Sequence, residues 1–266
     1  MSDNVFIAFS LTLLAGLSTG VGGLLAFLVK RNNTKLLSIG LGFSAGVMIY
    51  VSFVELFRQA EISLVGHMGD PMGKWITIGS FFAGMLVSVL LDKLVPENMS
   101  YHEVDVNADQ ASRQASVEKL NRMGMFTAFA IALHNFPEGL ATFVGALENP
   151  ALGVSLAAAI AIHNIPEGMS VALPIYYATG NTVQAVGYAL LSGLAEPIGG
   201  IVGYVILKSF LNEMVFGIAF AAVAGIMVYI SLDELLPMAR ESGTGHSEMF
   251  GLVVGMLVMA VSLLLF

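Results

Sequence analysis

A chain of 266 residues that is 56% hydrophobic and 11% charged, with a mean hydropathy of +0.82, lies outside the composition of soluble domains and reads as an integral membrane protein surrounded by a lipid bilayer. Its net charge of −8 comes without a basic cluster, which excludes nucleic acid as a partner. There is no cysteine, so disulfides and thiolate metal sites are excluded and any metal must use nitrogen and oxygen ligands.

About 20 apolar residues cross a ~30 Å hydrocarbon core. Windows of that kind fall at 5–29, 36–57, 75–96, 123–147, 151–177, 182–207, 214–237 and 247–266. The expected fold is therefore all-α, one eight-helix transmembrane domain over 1–266. The first run exceeds a signal h-region and follows Asp3 rather than a basic residue, so it is expected to be retained. Connections after odd-numbered spans hold Lys30, Arg31, Lys35, Lys93, Arg113, Lys119, Arg122 and Arg240, whereas the even ones hold Arg58, Lys74 and Lys208. By the positive-inside rule the odd loops are cytoplasmic and both termini extracytoplasmic, in the cell membrane.

Span 2 carries Ser52-Phe53-Val54-Glu55-Leu56, and span 7 echoes it with Ser231-Leu232-Asp233-Glu234-Leu235. Gly-x-x-x-Gly recurs at Gly16/Gly20, Gly42/Gly46, Gly199/Gly203 and Gly251/Gly255. It allows close helix approach, within one chain or between two copies as a homodimer. Residues 97–122, between spans 3 and 4, read as a flexible cytoplasmic loop, in which His102, Glu103 and Asp105 have no spacing specific to a metal.

The chemistry is concentrated in spans 4 to 6. HNFPEG at 134–139 recurs as HNIPEG at 163–168, 29 residues on. His134 and Glu138 are four apart and Asn135 and Glu138 three apart, so the three share a helix face; His163, Asn164 and Glu167 repeat it. Pro137 and Pro166 each remove a backbone amide, and Glu196 sits beside Pro197 in span 6. Ionisable groups at membrane depth are costly and mark function. Three glutamates without a Lys or Arg partner favour a bound cation, and imidazole with carboxylate suits Zn²⁺, Fe²⁺ or Mn²⁺ rather than Ca²⁺ or Mg²⁺. Such ligands bind metal deprotonated, so acid is expected to oppose binding. Spans 2 and 7, and spans 4 and 5, run in opposite directions, which fits an inverted repeat relating spans 1–3 to 6–8.

These motifs, with Ala195-Glu196-Pro197, resemble the ZIP family of divalent metal transporters over essentially the whole chain. The resemblance implies an importer, not an enzyme, that moves zinc and other divalent cations such as Fe²⁺, Mn²⁺, Co²⁺ and Cd²⁺ into the cytoplasm. It further implies a binuclear centre bridged by Glu138 and Glu167. A zinc site would add His134 and His163, and a second site, for iron or another divalent ion, would add Asn135, Asn164 and Glu196. Elevator-like sliding of one helix bundle past another is implied in the same way. Unlike many eukaryotic members, this chain has no long His-rich loop between spans 3 and 4, so metal sensing there is not expected. Two other classes stand beside this reading: an intramembrane metal-dependent hydrolase, which lacks its HExxH pattern here, and a proton or other-cation carrier, which leaves the histidines unexplained.

Overall fold

The computed structural model describes residues 2–28, 33–94, 110–148, 150–207 and 212–265, and all regular structure among them is helical. The helices are α1 (Ser2–Leu25), α2 (Thr34–Val51), α3 (Phe57–Met68), α4 (Met72–Leu94), α5 (Gln110–Glu148), α6 (Pro150–Thr179), α7 (Thr182–Gly193), α8 (Ala195–Val202), α9 (Glu213–Ile230), α10 (Leu236–Ser242) and α11 (Ser247–Leu265). Asparagines start three of them: Oδ1 of Asn33, Asn181 and Asn212 accepts from the amides of Leu36, Gln184 and Val215, satisfying donors that a helix start leaves free. Gly180 ends α6 at φ 69°, where its amide donates to Tyr176 O.

Among the described residues, six segments are long and apolar enough to cross a membrane: Asn4–Leu25, Thr34–Met68, Met72–Leu90, Thr182–Val205, Glu213–Ser242 and Ser247–Leu264. Phe6, Leu14, Phe82, Leu86, Val253 and Leu257 are all more than half exposed, a surface suited to lipid and costly in water. Trp75, at the first turn of α4, is equally exposed, as an interfacial aromatic anchor would be. The two remaining expected spans correspond to α5 and α6, of 39 and 30 residues. Residues 110–122, expected in a loop, instead extend α5 at its N-terminal end, while 97–109, with His102, Glu103 and Asp105, lie outside the described residues. Neither Pro137 nor Pro166 ends its helix.

The helices sort into two groups. α1, α5, α6, α7 and α8 pack on one another, and α2, α3, α4, α9, α10 and α11 do likewise. The groups meet mainly where α2 lies on α6 and α5 on α9, in one apolar cluster that includes Leu41, Met48, Leu173, Ile175 and Met227. In lipid, close packing and not water exclusion holds helices together. Gly42 and Gly46 of α2 accordingly lie against the carbonyls of Glu248 and Leu252 on α11, while Gly251 and Gly255 lie against those of Ile39 and Phe43. These Gly-x-x-x-Gly pairs therefore work inside the chain.

The SFVEL and SLDEL echoes are π-helical turns, Ser52–Leu56 and Ser231–Leu235. Ser52 Oγ donates to Met48 O at 2.6 Å and Ser231 Oγ to Met227 O at 2.8 Å. Placement is reciprocal as well, with the turn at 52–56 packed on α9 and the turn at 231–235 on α2.

Candidate metal centre

α5 and α6 lie side by side with their hexapeptides facing. His163 Nε2 is 2.9 Å from Glu138 Oε1, and His134 Nε2 is 3.2 Å from Glu138 Oε2 and 3.5 Å from Glu167 Oε1. Ligand atoms of His134, His163 and Glu167 all fall within 4.8 Å of one another, the span of a metal's coordination sphere. Burial is nearly complete: Glu167 is 0% exposed, His134 2%, His163 4% and Glu138 7%.

The asparagines are oriented by neighbouring helices. Asn135 Nδ2 donates to Ser192 O of α7 at 3.1 Å, and Asn164 Nδ2 donates to Ala15 O of α1 at 3.0 Å. Asn164 Nδ2 also makes a short contact with Glu196 Oε1, which ties α8 to the cluster. With the amide nitrogens so engaged, both Oδ1 atoms remain without hydrogen bonds, as do both nitrogens of each histidine, both Glu167 oxygens and one oxygen each of Glu138 and Glu196. Buried polar atoms are almost always satisfied, so a convergent set left unsatisfied matches a ligand-binding site. Its donors are imidazole nitrogen, carboxylate and amide oxygen, which suit borderline divalent cations.

Small residues bring the helices close enough for this. Gly16 of α1 and Gly193 of α7 face each other backbone to backbone. The chain breaks helix at Leu194, and α8 begins with Ala195, Glu196 and Pro197, where a proline lacks only an amide that a helix start leaves free. Gly139 of α5 lies against the carbonyl of Glu196 and Gly168 of α6 against that of Thr19, while Gly199 and Gly22 lie against the carbonyls of Phe136 and Ile165.

All seven residues singled out from sequence are thus buried in one bundle. His134, Glu138, His163 and Glu167 touch directly, Glu196 joins through Asn164, and Asn135 is held on α7. Glu55, Asp233 and Glu234 sit in the π-turns of the other group, partly exposed, and Glu55 accepts from Gln59 at 2.9 Å. Met48 and Met227 are core.

The family model described as ZIP Zinc transporter matches residues 5–263. The chain belongs to the ZIP family. It is 54% identical to zinc transporter ZupT of Clostridium perfringens, covering 99% of this chain and 97% of that relative. Identity to zinc transporter ZupT of Chlorobium chlorochromatii is 56%, covering both chains fully, and to that of Oceanobacillus iheyensis 55%, covering 99% of each. With its apolar helices, this ZIP chain is a multi-pass membrane protein.

Two buried groups of the ZIP site region escaped the sequence reading. Ser44 of α2 donates to Pro166 O at 2.8 Å, bracing the second hexapeptide from the other helix group, and nothing local in the sequence marks it. Thr19 was legible, because GLSTGVGG at 16–23 has the same frame of glycines as GLAEPIGG at 193–200, with Thr19 where the latter has Glu196.

Proposed function

We propose that this chain imports zinc, and other divalent cations such as Fe²⁺, Mn²⁺, Co²⁺ and Cd²⁺, across the cell membrane into the cytoplasm through a binuclear site. Glu138 and Glu167 bridge the two cations, His134 and His163 complete the zinc position, and Asn135, Asn164 and Glu196 complete the second. One observation carries this reading: three buried glutamates converge with two imidazoles whose nitrogens have no hydrogen-bond partner. No Lys or Arg occurs anywhere from 123 to 207 to neutralise them. Buried carboxylates require a compensating charge, and a divalent cation held by imidazole and carboxylate supplies it.

Eight spans frame the site, with α5 and α6 as the fourth and fifth and the first three related to the last three as an inverted repeat. The reciprocal π-turns support it, as does the match of α1 against α6 with α8 against α5. An odd-loop cytoplasmic orientation places both termini outside, and sliding of the α1/α5/α6/α7/α8 group past the other moves the site between faces. A hydrolase would need a separate general base and an open position for water, and the HExxH pattern that supplies them in metalloproteases does not occur in the chain.

Uptake of radioactive zinc into proteoliposomes tests the reading. Saturable uptake by the parent should vanish in Glu138→Ala and Glu167→Ala. Undiminished uptake by both variants would reduce the glutamates to structural staples.

A further inference from the structure

Contacts around the centre come in pairs related by a constant shift of 177 residues between α1 and α7/α8, matched to a shift of 29 between the hexapeptides. Asn164 holds the carbonyl of Ala15, and Asn135 holds that of Ser192. Gly16 and Gly193 face each other; Gly22 lies on Ile165 O and Gly199 on Phe136 O; Gly168 lies on Thr19 O and Gly139 on Glu196 O. Every member fits one exchange, and under it the counterpart of Glu196 is Thr19.

Thr19 is fully buried, and its Oγ1 has no hydrogen-bond partner. That sets it apart within its own helix, where Thr12 Oγ1 donates to Ala8 O at 2.8 Å and Ser18 Oγ to Ala15 O at 2.6 Å, the usual outlet for a helical hydroxyl. The Thr19 hydroxyl lies instead toward the α7 end, where a Cβ on Gly193 would meet Oγ1 at 2.9 Å. Across the exchange, Asn164 is bonded to the Glu196 carboxylate, whereas Asn135 Oδ1 and Thr19 Oγ1 are both unpartnered. A threonine side chain is shorter than a glutamate, and no hydrogen bond joins Thr19 Oγ1 to Asn135 Oδ1.

We propose that Thr19 is a ligand residue of the metal centre. Its hydroxyl joins the Asn135 amide oxygen as the neutral half of the second cation position, opposite the anionic half formed by Asn164 and Glu196, so that the zinc position is filled tightly and the second weakly. This rests on the metal-centre reading above. Unequal halves follow from chemistry, since a hydroxyl brings an oxygen lone pair but no charge, whereas a carboxylate brings both. Selectivity follows too, because the neutral half depends on weak oxygen ligands and retains a cation only in company with the bridging glutamates.

The test is equilibrium dialysis of detergent-purified protein against Zn²⁺, with bound zinc counted per chain. The expected parent isotherm has two steps. Thr19→Val, close in shape but without the hydroxyl, should weaken the second step about tenfold or more, in the range for lost metal-site support. Thr19→Ser should restore it, and Thr19→Asp should draw the two steps together. A Thr19→Val isotherm identical to the parent's, an unchanged second step in Thr19→Asp, or a parent that binds a single ion overturns the proposal. Glu167→Ala separates the two readings: if it abolishes both steps while the Thr19 variants change nothing, the metal centre stands and only Thr19 falls. A parent that binds no zinc sinks both.

Discussion

Asn164 shows how a single buried amide serves structure and chemistry at once. Its two donors are spent on the Ala15 carbonyl and the Glu196 carboxylate, which leaves the oxygen free for a cation. Asn164→Leu strips the Glu196 carboxylate of its hydrogen bond, while the Ala15 carbonyl keeps the one from Ser18, and a buried acceptor left unpaired costs about 1–3 kcal/mol. The expected result is a lowered thermal midpoint in detergent together with weaker zinc binding, and an unchanged midpoint would show that the anchor carries no stability. Protons compete at the same residues. Histidine and glutamate bind metal only when deprotonated, so zinc uptake by the parent should be slower at about pH 6 than at about pH 7.5, with a higher half-saturating zinc concentration in acid. A flat profile across that interval would exclude ligand protonation as a determinant of transport.

Between elements, the determining feature is how closely backbones approach. A Cβ on Gly46 would run into the Leu252 carbonyl of α11, and that neighbour is main chain, which cannot swing aside. Gly46→Val should therefore force α2 and α11 apart and cost about 1–3 kcal/mol, as overpacking does. Gly79 is the control: it is exposed, in the interior of α4, with nothing within 4 Å of its added Cβ, and Gly79→Ala should leave the midpoint unchanged or raised by up to about 1 kcal/mol. Thermal unfolding of the two purified variants against the parent decides it. Equal losses would mean that glycine acts at Gly46 through something other than close packing.

For the whole molecule, topology and motion can both be read with introduced thiols, since the chain has no cysteine of its own. His67 and His246 are exposed, near the ends of α3 and α11 and in connections on opposite faces by the charge count. A membrane-impermeant maleimide should label His67→Cys in intact cells and reach His246→Cys only after lysis; the reverse pattern would invert the orientation. Sliding of the two helix groups has its own signature. A Cβ on Gly40 of α2 would lie 3.0 Å from Leu173 Cδ1 of α6, across the boundary. Bridging Gly40→Cys and Leu173→Cys with a short thiol cross-linker should stop zinc uptake while leaving zinc binding intact. Uptake that survives complete cross-linking would rule out relative motion at that boundary.

Composition alone determined the medium, because 56% hydrophobic residues in runs of about 20 have no stable home in water. The i, i+3 and i+4 spacing of His134, Asn135 and Glu138 likewise determined that they share a face, since helix periodicity is local. Composition served less well for where α5 begins, since its apolar window opens at 123 and the helix at Gln110. Nor did residues 110–122 reveal their helix, being polar and without an apolar stripe. What only the tertiary structure decided is which faces meet: that the asparagine amides anchor on Ala15 and Ser192, and that Ser44 braces Pro166. Those relations depend on backbones brought into contact through glycines distant in the sequence, and no periodicity within one helix encodes the partner that another helix will present.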